Sequence, residues 1–560
     1  MVWKRTKKKI HTHELYPDEI LLDTKNLPSF DKQQFEGQLE RPIAKRPLLF
    51  LFGVMVLTAL YFIGVLSKVQ IAQHDFYQTK SEQNSLDHIP LFADRGIIYD
   101  RNGVELVSNT ADTTVGLTRR LYTTEHGFAN LLGYVSYPAK DEKGIFWQER
   151  TIGKDGIEKE FDARLAGSNG TQLIETNVAG EVVSGGVVQF PVQGDNIELA
   201  VDARIQGVLY EGIRSLAERS GYVGGTGIVM DIYTGELYAL TSFPEYNSDI
   251  LSRGEDTLTI NHYLKSPAKP LLNRALDGVY TPGSIVKPFL ATAALQEGII
   301  TPSKIIFSDG ALEIPNPYNP KLTSVFKDNK AHGAVDMRKA LAVSSNIYFY
   351  QIAGGFGSQR GLGIANIEKY TRMFGIGEKT GVDLSGERQG NIPSVAWKAK
   401  RFPGDPWRIG DTYNTSIGQY GFQVTPIQMV RAVAALAAKG KLQTPTIVKT
   451  TIAEHPGNPL PLRSDVYGPV HEGMRMSVTE GSTKALDTDA LHVAAKSGTA
   501  QIKNNTRVNS WVIGFFPYEN PKFAFTVLME DGPKVSSGAV HAFRPVVDFF
   551  IAHPELLSTE

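Results

Sequence analysis

One uncharged apolar stretch limits what this chain can fold into more than any other feature of its sequence. The 19 residues from Leu48 to Leu66 include no Asp, Glu, Lys or Arg. As an α-helix they would span roughly 28 Å, close to the hydrocarbon thickness of a bilayer. The stretch therefore predicts a transmembrane helix. A cleaved signal peptide is the alternative, but the apolar run is long for one and no small-residue cleavage site follows closely.

The charges around this stretch predict its orientation. Two groups of basic residues, at the start and at the end of the N-terminal segment, precede the apolar run: Lys4, Arg5, Lys7, Lys8, Lys9, Arg41, Lys45 and Arg46. Because basic flanks stay on the cytoplasmic side, residues 1–47 should form a cytoplasmic tail and everything after residue 66 should lie outside. We therefore expect a single-pass membrane protein with an extracytoplasmic body.

Composition excludes several classes of function. The chain has 560 residues, of which 42% are apolar and 21% are charged, so it can form two or more packed domains. Its net charge of -1 gives no argument for nucleic acid as a partner. It has no cysteine, which excludes disulfides, thiolate catalysis and cysteine-based zinc sites.

Residues 67–200 are predicted to form a mixed α and β domain without a catalytic constellation of its own. Asn102-Gly103 between two apolar runs is a hairpin signal. The polar segment 153–162 leads into a short helix that should end near Gly167. Residues 171–193 alternate short apolar runs with glycine, as an extended, hairpin-rich segment does.

Residues 201–560 read as helices packed around one antiparallel sheet, so the fold class of the whole chain is α+β with several domains. Helices are expected over residues 203–219, 284–297, 335–353 and 540–552. Strands are expected over residues 197–201, 227–231, 237–240, 493–502, 510–516 and 523–529. The first and last parts of this region would then complete the same sheet.

Ser284 and Lys287 are the candidate nucleophile and base. Pro282-Gly283 followed by helix formers predicts that Ser284 lies near a helix N-terminus with Lys287 one turn later. A serine hydroxyl needs a proton acceptor, and a lysine amine can be one when burial and neighbours lower its pKa from about 10. The spacing is weak alone, because it recurs at Ser29 and Lys32, Ser266 and Lys269, and Ser324 and Lys327.

Two further motifs lie in the same region. Ser344-Ser345-Asn346, the only Ser-x-Asn in the chain, falls between two helical segments and should interrupt or join them. Lys496-Ser497-Gly498-Thr499 lies in a predicted strand, where a glycine permits close approach of another backbone or a ligand. Lys379-Thr380-Gly381 fits the same Lys-Ser/Thr-Gly pattern, but its glycine-punctuated surroundings predict a structural turn.

Ser-x-x-Lys, Ser-x-Asn and Lys-Ser-Gly in this order resemble the penicillin-binding proteins and serine β-lactamases. Phe349-Tyr350-Gln351 looks more like the elongation-type penicillin-binding protein 2 than the division type. Other segments resemble the class B, monofunctional penicillin-binding proteins: residues 95–103, 156–162, 273–275, 280–284, 416–419 and 424–426. The resemblance implies a pedestal (dimerisation-type) domain over residues 67–200 and a transpeptidase domain over residues 201–560.

The resemblance also implies an activity, that of a serine-type D-Ala-D-Ala transpeptidase which crosslinks peptidoglycan stem peptides outside the bacterial cytoplasmic membrane. Ser284 would form the acyl-enzyme with Lys287 as its general base, and Ser344 would relay a proton to the leaving amine. Asn346 would orient the peptide and Lys496 would tune the proton network.

The family's third motif would bind the substrate. Ser497 and Thr499, on either side of Gly498, would bind the substrate carboxylate. The backbone N–H groups of Ser284 and Thr499 would form the oxyanion hole.

The same resemblance implies partners and the absence of a cofactor. The partners would be donor and acceptor stem peptides, β-lactams as covalent inhibitors, a SEDS-family glycosyltransferase and scaffold proteins of the elongation machinery. Neither a cofactor nor a metal is expected. Some elongation-type relatives bind zinc near this site with a cysteine among the ligands, and this chain has no cysteine.

Four alternatives remain open at this point. A β-lactamase uses the same motifs, but the predicted anchor and the large preceding module argue against it. A bifunctional class A enzyme would need a glycosyltransferase domain, for which residues 67–200 look too short. A division-type septal transpeptidase differs only in its role in the cell. A β-lactam receptor or scaffold without catalytic activity belongs to another class, and the complete motif set argues against it.

Overall fold

The computed structural model describes residues 45–75, 85–112, 117–142, 146–176, 182–316, 319–450, 456–503, 505–534 and 538–558. Apart from residues 45–47, the predicted cytoplasmic tail lies outside the described residues. The chain divides into two compact units. One comprises Met1–Asp87 and Ile174–Gly185, and the other comprises His88–Leu173 and Gly186–Glu560.

The apolar stretch near the N-terminus forms a helix, as expected. An α-helix over Lys45–Ser67 continues as a π-helical turn over Lys68–Ala72. Within it, Leu49–Ala72 is long and apolar enough to cross a membrane. Its large apolar side chains are exposed, for example Phe50 at 74% and Met55 at 71%. Because such a surface is unfavourable in water, this helix suits a membrane anchor.

The pedestal hairpin predicted at Asn102-Gly103 is present. Ile98–Tyr99 pairs antiparallel with Glu105–Asp112, and Gly103 takes the positive φ of 80° that the turn requires. These strands belong to a four-stranded sheet. Its order is Ile197–Glu198, Ile98–Tyr99, Glu105–Asp112, Leu117–Tyr122.

The strand predicted over residues 197–201 is shorter than expected and pairs with a different strand. Only Ile197–Glu198 is a strand, and it pairs in parallel with Ile98–Tyr99 rather than joining the large sheet. Leu199 forms an isolated bridge with Val448 instead. Apolar alternation predicted an extended segment correctly, but alternation does not indicate which strand it pairs with.

Short elements complete this part of the chain. The helices are Ala129–Leu132, Gly156–Glu160 and Asp162–Leu165. The two-stranded pairs are Val135–Ser136 with Ile152–Gly153, and Ala139–Lys140 with Phe146–Gln148. A three-stranded sheet has the order Ser85–Leu91, Gly170–Thr176, Val182–Gln189.

One buried carboxylate connects the two polar pedestal motifs. Glu158 has no exposed surface and accepts hydrogen bonds from Arg95 Nε at 2.5 Å and Arg120 Nε at 2.8 Å. Arg95 also pairs with Asp162 at 2.7 Å. Since a buried charge is tolerated only when it is paired, these residues explain why both motifs are rich in charge.

The predicted antiparallel sheet is confirmed and has five strands. Its order is Leu237–Phe243, Gly224–Asp231, Phe523–Gly532, Arg507–Phe516, Ala494–Ile502. Every neighbouring pair is antiparallel, with Ile228 opposite Thr526 and Lys496 opposite Ile513. The strand that carries Lys496 therefore lies at one edge of the sheet.

Helices cover both faces of this sheet, because successive strand residues point to opposite faces. One core cluster joins Val229 and Val527 to the helices Ala203–Ser220 and Gly538–Ala552. The second cluster joins Ile228, Ile513 and Leu528 to the helices on the other face. Those helices are Lys287–Gln296, Pro426–Ala437 and Tyr467–Thr479.

The remaining elements surround these layers. The α-helices are Ser248–Arg253, Thr257–Lys265, Met337–Ala342, Asn346–Gly354, Gly363–Met373, Val395–Arg401 and Ile409–Ser416. The 3-10 helices are Gly283–Val286, Ser464–Val466, Lys484–Leu486 and Pro554–Leu557. The strand pairs are Ile306–Ser308 with Gly333–Val335, Ala311–Asn316 with Asn319–Lys327, and Lys441–Leu442 with Asn458–Pro459.

Candidate active site

Ser284 lies in a tight turn at the start of a buried helix. A 3-10 helix over Gly283–Val286 leads directly into the α-helix Lys287–Gln296. Gly283 has a φ of 62°, a conformation that favours glycine. Ser284 is half-buried, whereas Lys287 has no exposed surface. The predicted helix start is confirmed, and it leaves the serine accessible above a buried lysine.

We call residues 280–287, which contain Ser284, the nucleophile turn. Backbone and indole hydrogen bonds hold this turn in place. Gly283 N donates to Gly418 O at 3.0 Å, and Tyr280 and Val424 exchange backbone hydrogen bonds of 2.9 Å. Trp511 Nε1 donates to Thr281 O at 3.0 Å. The turn is therefore fixed by segments far away in the sequence.

The Ser-x-Asn motif joins two helices, as predicted. Met337–Ala342 ends just before Ser344, and the next helix begins at Asn346. Ser344 has a φ of 60°, in the left-handed region that non-glycine residues rarely occupy. This conformation directs Ser344 O toward Lys287 and Ser344 Oγ toward both Lys287 and Lys496.

Two buried lysines converge on Ser344. Lys287 Nζ donates to Ser344 O at 2.8 Å, to Ser344 Oγ at 3.3 Å and to Asn346 Oδ1 at 2.7 Å. Lys496 Nζ donates to Ser344 Oγ at 2.9 Å and to Ser497 O at 2.8 Å. The structure thus brings Lys287, Ser344, Asn346 and Lys496 into one hydrogen-bonded network beside Ser284.

Ser284 lies three residues before Lys287 but makes no hydrogen bond to it in this structure. Among the described residues, no hydrogen bond connects Ser284 Oγ with Lys287 Nζ, whose donors face Ser344 and Asn346. Catalytic hydrogen bonds of free enzymes often form only when the substrate is bound, so this geometry is compatible with a Ser284–Lys287 pair.

Burial shifts the ionisation of both lysines. Burial lowers the pKa of Lys287 to about 7, although the carboxylate of Asp328 acts in the opposite direction. Burial, followed by the charge of Lys287, holds the pKa of Lys496 well below its ordinary value. A lysine with a pKa near neutrality can act as a general base, which an ordinary lysine cannot do.

The edge strand Ala494–Ile502 forms the opposite wall of the site. A Cβ on Gly498 would lie 2.8 Å from both Ile285 Cγ2 and Pro282 O, so glycine permits the nucleophile turn to pack against the strand. Ser497 is half-buried and Thr499 is exposed, so both hydroxyls are open to a substrate. The close approach predicted for this glycine is confirmed, and the approaching group is the nucleophile turn.

Sequence reasoning missed two residues of the site. Asp328 accepts hydrogen bonds from Asn346 N at 2.9 Å and from Ser345 Oγ at 2.8 Å. Ser482 Oγ lies 2.6 Å from Ser497 Oγ. A single Asp and a single Ser carry no pattern, so no sequence signal could have assigned either of them to the site.

The other matches to the motifs have different surroundings. Ser324 and Lys327 lie on the strand Asn319–Lys327, where residues three apart point to opposite faces. Ser29 and Lys32 lie outside the described residues. Lys379-Thr380-Gly381 is a loop in which Glu387 Oε1 accepts from Thr380 N at 2.6 Å. These three residues lie in neither a helix nor a strand, in agreement with the loop surroundings expected from the sequence.

The side chains near this site do not supply a zinc ligand set. Within the described ranges, no group of three or more His, Cys, Asp or Glu side chains could hold a metal ion. The chain has no cysteine, so it has no thiolate that could act as a zinc ligand.

Comparison with protein families identifies both parts of the body. The family described as the penicillin-binding protein transpeptidase domain matches residues 225–548, which is more than half of the chain. The family described as the penicillin-binding protein dimerisation domain matches residues 113–199. Both matches agree with the order of domains expected from the sequence.

Individual relatives cover most of the chain. Peptidoglycan D,D-transpeptidase MrdA of Haemophilus influenzae is 29% identical over 94% of each chain. PBP2 of Pseudomonas aeruginosa in complex with WCK 5153 is 30% identical with a TM-score of 0.68, covering 82% of this chain and 96% of that one. PBP2 of Helicobacter pylori in complex with MreC is 26% identical with a TM-score of 0.68, covering 84% and 100%. The chain therefore belongs to the penicillin-binding protein family and has both its dimerisation domain and its transpeptidase domain.

Proposed function

We propose that this protein is a peptidoglycan D,D-transpeptidase that crosslinks stem peptides through an acyl-enzyme on Ser284. The observation that carries the proposal is the convergence of Lys287 and Lys496 on Ser344 Oγ, at 3.3 Å and 2.9 Å, beside the nucleophile turn. Two buried amines of lowered pKa around one hydroxyl form a proton-transfer network that a purely structural site does not need.

In the acylation step, Ser284 Oγ loses its proton to the neutral amine of Lys287 and bonds to the carbonyl carbon between the two terminal D-alanines. Backbone N–H groups of Ser284 and Thr499 stabilise the oxyanion, a contribution of about 3 kcal/mol for one donor. The carbon–nitrogen bond then breaks. The proton passes from Lys287 through Ser344 to the departing D-alanine amine, and the rest of the peptide stays on Ser284.

Deacylation reverses these transfers with a different amine. The acceptor amine of a neighbouring stem peptide attacks the ester and loses its proton to the network. Ser284 leaves with its hydrogen restored, and a new peptide crosslink has formed. Lys496 keeps Ser344 polarised in both steps because it donates to Ser344 Oγ.

Substrate contacts follow from the edge position of the strand Ala494–Ile502. An edge strand has backbone groups that another strand does not use, so an extended peptide can add beside it. The hydroxyls of Ser497 and Thr499 then bind the terminal carboxylate. Asn346 Nδ2, which donates to Lys327 O at 3.5 Å in the free protein, turns to donate to the peptide.

We also propose the location and domain boundaries expected from the sequence. Leu49–Ala72 anchors the protein in the cytoplasmic membrane, with the N-terminus inside and the catalytic domain outside. The pedestal spans residues 67–200 and the transpeptidase domain residues 201–560, limits that contain the two family matches. Protease added to intact spheroplasts should digest the body and leave an epitope at the N-terminus protected.

The same relatives suggest a role in elongation with partner proteins. The match to MrdA over 94% of both chains and the match to PBP2 support the elongation type over the division type. The Helicobacter PBP2 structure contains MreC, which supports a scaffold partner. A SEDS-family glycosyltransferase would supply the glycan strands. Crosslinking in intact cells followed by isolation of the tagged chain should capture both partners.

Labelling with a fluorescent penicillin tests the nucleophile. Wild type and Ser324→Ala should form a stable adduct, and Ser284→Ala should form none. Ser324 is the matched control because it occupies another Ser-x-x-Lys on an exposed strand. Rapid release of hydrolysed penicillin would instead make the protein a β-lactamase.

A second measurement separates the enzyme from a β-lactam receptor, which would also be acylated. Purified protein is incubated with a donor stem peptide and an acceptor amine, and the crosslinked product is measured by mass spectrometry. A product that requires Ser284 supports the transpeptidase. Stable acylation without any product would support the receptor.

A further inference from the structure

A buried carboxylate lies directly beneath the Ser-x-Asn motif. Asp328 follows the strand Asn319–Lys327, and its side chain has no exposed surface. Its Oδ2 accepts hydrogen bonds from Ser345 Oγ at 2.8 Å and from Ile347 N at 3.0 Å, and its Oδ1 accepts from Asn346 N at 2.9 Å. One side chain therefore contacts three consecutive residues, two of which belong to the motif.

Further donors complete the shell of this carboxylate. Ser308 Oγ donates to Oδ2 at 3.1 Å, and Asn329 N donates to Oδ1 at 2.8 Å. Burial alone would raise the pKa of Asp328, but the hydrogen bonds from Asn346, Ile347 and Ser345 outweigh it and hold the pKa below its usual range. Asp328 is therefore ionised at neutral pH, with its negative charge at the start of the helix Asn346–Gly354.

The motif needs such support because of its backbone conformation. The φ of 60° at Ser344 is unfavourable by about 1 kcal/mol or more for a residue with a Cβ. Ser344 O, Ser344 Oγ and Asn346 Oδ1 are the three acceptors of Lys287 Nζ. Whatever fixes the backbone at residues 345–347 therefore also fixes the position of the base.

We propose that Asp328 is a positioning residue of the transpeptidase site, which holds the Ser344-Ser345-Asn346 turn in the conformation that orients Lys287. The inference rests on the proposed role of Lys287 as base. Asp328 contacts neither the nucleophile nor the expected substrate position, and it acts through the backbone and hydroxyl that it binds.

The charge of Asp328 supplies a readout that a purely structural role would not affect. It raises the pKa of Lys287 against the stronger effect of burial. Other titratable groups lie beside this cluster: Lys496, whose pKa burial and then Lys287 lower, His332, whose Nε2 lies 3.9 Å from Asp328 Oδ1, and Tyr350, whose pKa burial and then the charge of Asp328 raise. Removing the negative charge should therefore lower the pKa of Lys287 and move the acidic limb of the acylation rate to lower pH.

Acylation by a fluorescent penicillin, measured on the full-length protein as a function of pH, tests this proposal. Asp328→Asn keeps the shape but replaces acceptors with an amide, so the maximal rate should fall by about tenfold to a hundredfold. Its acidic limb should also shift to lower pH. Asp336→Asn is the matched control, because Asp336 caps the neighbouring helix by accepting from Lys339 N at 2.8 Å. That variant should keep the wild-type pH profile.

Two results for Asp328→Asn would contradict the proposed role of Asp328. An Asp328→Asn protein that is acylated at the wild-type rate, or that is slower with an unshifted acidic limb, would overturn it. If this variant does not fold, Ser345→Ala takes its place, because it keeps the charge of Asp328 and removes the hydroxyl that donates to Asp328 Oδ2. The same hydroxyl donates to Ser308 Oγ and accepts from Tyr348 N, so those two contacts are lost as well. Ser345→Ala should slow acylation about fivefold without moving the limb, and a wild-type rate would overturn the proposal. Ser284→Ala in the same assay separates the two hypotheses, since an adduct there would refute the proposed function itself.

Discussion

In the mechanism that we propose, acylation depends directly on the protonation state of Lys287. Burial lowers its pKa to about 7, and only the neutral amine can take the proton of Ser284. The rate of acylation by a penicillin should therefore rise with pH through about 7 and then level off. Stopped-flow measurements between about pH 5.5 and about pH 9 test this dependence.

Lys287→Arg is the informative variant for that profile. A guanidinium keeps its proton throughout this range, so the variant should not be acylated at any pH tested. A wild-type rate that does not change with pH would remove Lys287 from the role of base.

Ser482 contacts a hydroxyl that we assign to substrate binding. Its hydroxyl lies 2.6 Å from Ser497 Oγ, so it orients the hydroxyl that we assign to the substrate carboxylate. Ser482→Ala should lose about 1 kcal/mol, which corresponds to about fivefold in the second-order acylation rate. Thr479→Ala, an exposed hydroxyl at the end of the preceding helix, is the control. Equal rates for the two variants would show that the contact contributes nothing.

At the scale of elements, the packing of the nucleophile turn against the edge strand positions Ser284. A Cβ at Gly498 would lie 2.8 Å from Pro282 O. Gly498→Ala should therefore displace the turn, slow acylation about a hundredfold and cost about 1 to 3 kcal/mol of stability. Kinetic labelling and thermal unfolding measure the two effects.

Gly186→Ala is the control for that substitution. Gly186 also lies in a strand, but a Cβ there would meet no atom within 4 Å. This variant should keep wild-type acylation. If Gly498→Ala also keeps it, the close approach is not required for catalysis.

The charge cluster of the pedestal makes a separate prediction for its elements. Glu158 pairs with both Arg95 and Arg120 in a buried position, and Arg95 has a second carboxylate partner in Asp162. Glu158→Gln removes the carboxylate that pairs with the buried Arg120, while Arg95 keeps Asp162, and this loss should cost about 3 kcal/mol. Urea unfolding and limited proteolysis should reveal this loss. Glu160→Gln, on the exposed side of the same helix, should have almost no effect, and equal stability of the two variants would contradict the prediction.

The apolar helix and the proposed catalytic residues belong to different compact units of the chain. Every residue of the lysine network lies in the unit His88–Leu173 and Gly186–Glu560. A chain that begins at residue 73 lacks Leu49–Ala72 and should stay in solution without detergent. It should also be acylated by penicillin at the wild-type rate.

The same truncation carrying Ser284→Ala controls for nonspecific labelling. Sedimentation of the truncated chain with membranes would show that another surface binds lipid. A folded but unreactive truncated chain would show that the site depends on residues 1–72.

Much of the fold was predictable because its signals are local. Pro282-Gly283 before helix formers predicted the helix start at Ser284, and the Asn102-Gly103 pair predicted the pedestal hairpin. Apolar alternation predicted the strands that form the central sheet. The same signal failed at residues 197–201, because alternation carries no information about the partner strand.

The three motifs by themselves also indicate the family. Their residue types and order are properties of the chain, and the apolar stretch Leu48–Leu66 carries its hydropathy without reference to any other segment. These features were enough to predict an anchored serine transpeptidase.

Only the folded chain shows how the site is built. Asp328 reaches Asn346 across 18 residues of sequence, and Lys496 reaches Ser344 across 152. Their contacts, and the lowered pKa of Lys287, come from the packing of helices against one sheet edge. Burial and long-range hydrogen bonds arise only when distant segments pack together, so no local pattern in the sequence predicts them.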